Sequence, residues 1–142
     1  MNTFRRLLLV SCIVAIAGCA SGPKFSEMQS SMPTLKAGQG RIYVYRDSTF
    51  GAAMIPAVNL NGQEVGRSMA NSFFYIDRAP GEYKVSATTE VERSVSLALA
   101  AGESKYVKVS IGFGLFAGRP NFELANEAAA RTALQSLSYS GK

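Results

Sequence analysis

The chain has 142 residues, 47% of them hydrophobic, with 15 Lys and Arg against 10 Asp and Glu, no His and no Trp. That length suffices for one domain with its own core, and the scattered cations of a chain with net charge +5 make no nucleic-acid footprint. Without His the commonest general base and metal ligand is missing, and both cysteines, Cys12 and Cys19, fall near the N-terminus, so the rest of the chain holds no thiol for catalysis or metal binding.

Residues 1–18 read as a lipoprotein signal peptide. Arg5 and Arg6 supply the positive start, and Leu7 to Ala17 supply about 11 apolar or small residues, the length of a signal h-region. A bilayer-spanning helix needs roughly 20. The run ends in Ile16-Ala17-Gly18-Cys19, the form of a lipobox. An uncleaved anchor, or a plain secretory signal with an incidental cysteine, fits this spacing less well. Acylation of Cys19 ties the mature chain to a membrane, and two or more acyl chains anchor stably. Ala20, not Asp, follows the cysteine. By the general sorting rule this places the protein at the outer membrane, facing the periplasm. Cys12 leaves with the signal and a lipidated Cys19 cannot pair, so the mature domain has no disulfide in an oxidising compartment.

Residues 19–39 are rich in Ser, Gly, Pro, Gln and Lys and show no apolar period, which predicts a flexible tether spanning roughly 25 Å, with a short helix within 24–32. Ser21-Gly-Pro-Lys24 has the Ser-x-x-Lys spacing of some acyl-enzymes. Its Pro and its place beside the anchor argue for plain linker.

Residues 40–142 form the domain. From Gly40 the pattern changes to strands, and Arg41 to Arg46, β-branched and aromatic and apolar on both faces, reads as a central strand. Asp47 to Ala53 is a Gly-containing loop. Residues 55–60 and 63–68 flank Asn61-Gly62, the strongest short hairpin signal, because both positions need positive φ. Ser72 to Asp77 is the next strand, and Pro80-Gly81 suits a turn. Tyr83, Val85, Ala87 and Thr89 alternate with polar residues, as do Val95, Leu97 and Leu99 after a turn at 90–93. Val107, Val109 and Ile111 do the same after the turn at 101–103. Period-2 alternation is that of antiparallel sheets with one wet face. The spacing predicts an antiparallel β-sandwich of 7 to 8 strands. Asn121 to Leu124 adds a short strand. Asn126 caps a C-terminal helix over 126–137, whose apolar stripe is Ala130, Ala133, Leu134 and Leu137.

Taken in order, GRIYVYRD, NLNGQEVG, SFFYID, PGEY, TTEVE, LALAAGE, YVKV and GLFAGRP resemble a family of bacterial lipoproteins known only as a domain of unknown function, over roughly 40–137. The resemblance implies a fold and a location, and no reaction.

Three features bear on chemistry. If both lie in a strand, Glu90 and Glu92 share one face roughly 7 Å apart, which suits Ca²⁺ binding or glycoside hydrolysis; as a solvated strand end they need do neither. Gly112-x-Gly114-x-x-x-Gly118 misses the dinucleotide fingerprint. Its apolar members Phe113, Leu115 and Phe116, with Arg119 beside them, either tuck into the sandwich end as a bulged hairpin or form an exposed tip that meets a partner or lipid. Tyr43, Tyr45, Tyr75 and Tyr106 suit sugar stacking or cross-strand packing. The reading that follows is a membrane-anchored envelope lipoprotein that is not an enzyme and needs no cofactor. Its role is protein interaction or structure, with an envelope protein or a glycan such as peptidoglycan as partner. The alternatives are a glycan-binding module and a carboxylate hydrolase.

Overall fold

The computed structural model describes residues 22–141; the expected signal peptide and lipobox, with Cys19, lie outside the described residues. Strands β1 (Gly40–Arg46), β4 (Ser72–Arg78), β7 (Ser104–Gly112), β8 (Arg119–Leu124) and β9 (Ser138–Tyr139) make one sheet in the order β8-β7-β1-β4-β9. Strands β2 (Ala57–Leu60), β3 (Gln63–Arg67), β5 (Gly81–Thr88) and β6 (Glu92–Leu99) make the other, in the order β3-β2-β5-β6. Helices α1 (Phe25–Met28) and α2 (Glu127–Leu134) cover the outer face of the five-stranded sheet.

The sandwich read from the alternation is present. Ile42, Val44, Phe74, Ile76, Val107 and Val109 face Val58, Leu60, Val85, Leu97 and Leu99 across the sheets and are all buried. Asn61 (φ 50°) and Gly62 (φ 85°) turn the β2–β3 hairpin as their sequence requires. Two departures from the expectation share a cause. The strands number nine among the described residues, and β1 pairs β7 in parallel, as β4 pairs β9. A parallel pair cannot be joined by a tight turn. Here the chain between β1 and β7 crosses to the second sheet and back, and period-2 alternation carries no sign of strand direction.

The wet face expected of each sheet is missing from the larger one. Phe25, Tyr43, Tyr45, Phe73, Tyr106, Ala130, Leu134 and Leu137 form a second buried cluster on its outer side. This is why β1 is apolar on both faces. The Asn126 side chain accepts hydrogen bonds from the N–H groups of Ala128 (2.9 Å) and Ala129 (3.3 Å) and starts α2 as expected. The helix stops at Leu134, short of the expected 137, because the chain turns there to lay Ser138–Tyr139 along the edge of β4.

The expected tether is bound over much of its described length. Residues 22–25 run beside 137–139, with Gly22 N–H donating to Tyr139 (3.1 Å), Tyr139 N–H to Pro23 (2.9 Å) and Phe25 N–H to Leu137 (2.9 Å). Phe25 is 3% exposed and sets its ring edge-on against Phe73 at 5.3 Å. Farther along, the Arg41 guanidinium donates to the Pro33 carbonyl (2.8 Å) while gripping Asp77 through two bonds of 2.6 and 2.8 Å. A single aromatic in a polar stretch has no period to read. It finds its place because an aromatic sheet face stands open beside it.

Candidate functional site: an apolar end of the sandwich

Because β1 and β7 are parallel, the loops that follow them, 47–56 and 113–118, leave the same end of the molecule. The β5–β6 turn at 89–91 joins them there, with the Thr89 hydroxyl donating to the Gly118 carbonyl at 3.1 Å. Six of the seven exposed large apolar side chains among the described residues lie on these three loops: Phe50, Ile55, Val91, Phe113, Leu115 and Phe116. Phe113, Leu115 and Phe116 are 88%, 81% and 96% exposed. The buried-hairpin expectation for them is therefore overturned, and the tip stands out in solvent.

One carboxylate determines that outcome. Glu90, in the β5–β6 turn, accepts from the N–H groups of Leu115 (3.3 Å), Phe116 and Ala117. Arg119 closes the shell with Nε and Nη2 both at 3.3 Å. Successive amides converging on one anion make a nest. Here they turn the backbone of 115–117 inward and leave its side chains facing out. The amides of Ala117 and Phe116, ahead of the other groups, pull the Glu90 carboxyl down to about 2 from its ordinary 4.5. A carboxylate with a lowered pKa holds its structure above its ordinary value and loses that contribution as pH falls through the lowered one. Hydrogen exchange at Leu115, Phe116 and Ala117 should therefore be slow at neutral pH. Their protection factors, measured against the intrinsic rate at each pH, should fall between about pH 4.5 and pH 2, while those of the β1 amides stay high. Glu90→Ala should quicken the same three amides roughly tenfold or more at pH 7, in proportion to the local opening it allows. Unchanged exchange in that variant would show that the nest does not hold the tip.

The loop opposite is held by a residue that the sequence reading passed over. Arg46, at the end of β1, is fully buried. Its guanidinium donates to the carbonyls of Phe50 (2.8 Å), Gly51 (2.7 Å), Met54 (2.8 Å) and Ser68 (3.2 Å). Carbonyl dipoles take the place of a counter-ion, and burial lowers the Arg46 pKa from its ordinary value. The signal available was an arginine closing a strand that is apolar on both faces, just ahead of a glycine loop. Between the two loops lies a groove of about 570 Å³, floored by Gly51, Met54, Ile111 and Gly118, with Phe50 and Phe113 meeting edge-on at 5.2 Å on its rim.

The other residues singled out by sequence do not assemble a site. Glu92 pairs with Lys84, away from the nest that holds Glu90, so the two carboxylates do not face one ligand. Asp47 pairs with Lys108 (2.9 Å), Asp77 with Arg41 (2.6 Å) and Glu127 with Arg131 (2.8 Å). Among the described residues no three His, Cys, Asp or Glu side chains group to hold a metal ion, and no helix is long and apolar enough to cross a membrane. Arg119 meets Glu90 in place of an outside anion. Tyr43, Tyr45 and Tyr106 are buried under the helices, and Tyr43 stacks on Tyr106 at 5.1 Å. Tyr75 is half-buried and lies under the Arg41 guanidinium at 4.3 Å. The sugar-stacking expectation for these tyrosines gives way to packing.

Residues 36–119 match the family described as protein of unknown function, DUF2846. An uncharacterized protein of Haemophilus influenzae is 26% identical over 139 residues, covering 94% of this chain and 83% of the relative. No solved structure matches the chain.

Proposed function

The chain belongs to the DUF2846 family of proteins of unknown function, and from that premise we propose that it is a lipid-anchored protein of the cell envelope that works by contact rather than by catalysis. The Ile16-Ala17-Gly18-Cys19 sequence supports the anchor, and Ala20 supports an outer-membrane address. The observation that carries the contact role is the exposure of Phe113, Leu115 and Phe116 on a loop held in shape by Glu90. Exposed apolar groups clustered at one site mark interaction surfaces, and an ordered loop loses less conformational entropy on docking than a mobile one.

The anchor is tested by mass. The mature chain should begin at Cys19 and carry acyl groups, and Cys19→Ser should abolish both the added mass and recovery with membranes. A parent chain whose mature mass includes no acyl group would overturn the anchor. The contact role is tested in intact cells with a photo-crosslinking residue at Phe113 or Phe116. A discrete adduct at either position is expected, and the absence of adducts at both, in a folded and lipidated chain, would refute the contact role.

A further inference from the structure

We propose that the apolar end docks an amphipathic helix of another protein, on the side of the sandwich that faces away from the lipid anchor. This deepens the contact role above and rests on that reading.

Chain direction argues against the anchoring bilayer as the partner. Residues 22–25 run antiparallel to 137–139. Strand β9 runs parallel to β4, and β4 antiparallel to β1. Traced back from Phe25 to Gly22, the chain therefore heads away from the 47–56 and 113–118 loops. It heads toward the β2–β3 hairpin end, where Gln63 and Glu64 border one depression with Tyr139 and Gly141. From Gly22 only three residues remain to Cys19, a reach of at most about 10 Å. The tip also stands toward the other edge of the sheet. Tyr139, Phe73, Tyr45 and Lys108 share one row. Gly112 lies three strands across from β9 and four residues farther toward the apolar end, roughly 20 Å away at about 3.3 Å per residue and 4.8 Å per strand. The hairpin end is thus the end nearer the lipid, and the apolar end projects from it. A second copy held in the same membrane projects its apolar end the same way, so the two ends do not face each other as an isologous pair requires.

The groove between the two loops selects the form of the partner. Its walls have their backbone groups already engaged. The carbonyls of Phe50, Gly51 and Met54 accept from Arg46, and the Met54 N–H donates to Gly51. Across the groove the N–H groups of Leu115, Phe116 and Ala117 donate to Glu90, and the Gly118 carbonyl accepts from Thr89. An extended peptide draws its affinity from main-chain hydrogen bonds to its receptor, and these walls hold few to give. A helix satisfies its own backbone and brings only side chains. Charge completes the argument. Residues 48–63 and 109–118 contain no charged side chain, and the two acids beside them, Asp47 and Glu90, are paired with Lys108 and Arg119. No ion pair is therefore on offer, and the inserted face must be apolar, with anchors at i, i+3 or i+4, and i+7. The groove of about 570 Å³ falls within the range of ligand pockets, about 300–1,000 Å³.

The test is to map the adducts residue by residue. A benzophenone side chain replaces Phe113 or Phe116 in the full-length lipidated protein in intact cells; both positions are exposed, so folding is not at risk. The cross-linked peptides are then sequenced. The two probes should mark apolar residues of one other protein, three, four or seven positions apart, as one face of a helix requires. Phe50→Ser combined with Leu115→Ser should cut the adduct yield at either probe roughly tenfold, as loss of two apolar anchors at an interface does. Direction is read separately. The chain has no Trp, so Gln63→Trp and Phe116→Trp each carry a single donor. On vesicles with an acceptor dye on the headgroups, energy transfer from Gln63→Trp should exceed that from Phe116→Trp. Equal or reversed transfer overturns the direction proposed. Adducts to acyl chains, to a second copy of this chain, or to partner residues two apart as in an extended strand overturn the helix and leave the contact role standing. Absence of adducts at both positions refutes the contact role and the helix with it.

Discussion

Arg46→Met should lower the unfolding free energy by about 4 kcal/mol, within the range of about 3–5 kcal/mol for losing one partner of a buried charged network. Methionine fills much of the same volume and cannot donate. The carbonyls of Phe50, Gly51, Met54 and Ser68 then lose their common donor. Each acceptor left unpaired in the interior costs about 1–3 kcal/mol, less where the loop relaxes toward water. Arg46→Lys keeps a cation but has three donors on one nitrogen instead of a planar fork, so it should recover only part of the loss. Urea denaturation at neutral pH checks both variants. A loss below about 1 kcal/mol for Arg46→Met, the size of one ordinary hydrogen bond, would show that water replaces the guanidinium without difficulty. The same substitution should alter the apolar groove, because Phe50 and Gly51 hang from this side chain.

The second large effect lies on the other side of the five-stranded sheet. Phe25→Ala should cost about 3–4 kcal/mol, as removal of a buried phenyl ring does, and at roughly 4 °C per kcal/mol the Tm should fall by about 12–16 °C. The ring touches Phe73 (5.3 Å) and Tyr43 (6.1 Å) edge-on, and its loss leaves a void beside Leu134 and Leu137 that α2 cannot close without moving. Phe25→Leu should retain more than half of the stability. Amide exchange separates local release from global loss: Phe25 and Tyr139, which donate to Leu137 and Pro23, should become the least protected of the chain's paired amides. An unchanged Tm with a normal Tyr139 amide would mean that the segment only rests on the sheet.

Much of this molecule was written in local patterns. The hairpin at Asn61-Gly62 follows from two residues that tolerate positive φ. The inward sets Val95, Leu97, Leu99 and Val107, Val109, Ile111 follow from period 2. Asn126 and the stripe it precedes specify α2. Each depends on neighbours within a few residues, where backbone stereochemistry and alternation of polarity act directly. The tip was legible as an apolar interruption at 112–120, but its exposure was not. Apolar side chains are ordinarily buried, and that expectation failed because the partner that turns the loop outward, Glu90, lies 26 residues from Phe116.

The sequence alone determined the fold class, the hairpins, the helix cap and the two sets of residues that line the sandwich core, because all of these rest on local dihedral preference and on periodicity. Tertiary structure alone decided the parallel pairing of β1 with β7, which brings the 47–56 and 113–118 loops to one end. It also decided the burial of Arg46 and Tyr106, the docking of Phe25 and the nest around Glu90. These contacts join residues far apart in the chain. Whether a carboxylate reads as a solvated strand end or as the anchor of an apolar loop depends on which amides the fold carries to it, and no window of sequence contains both.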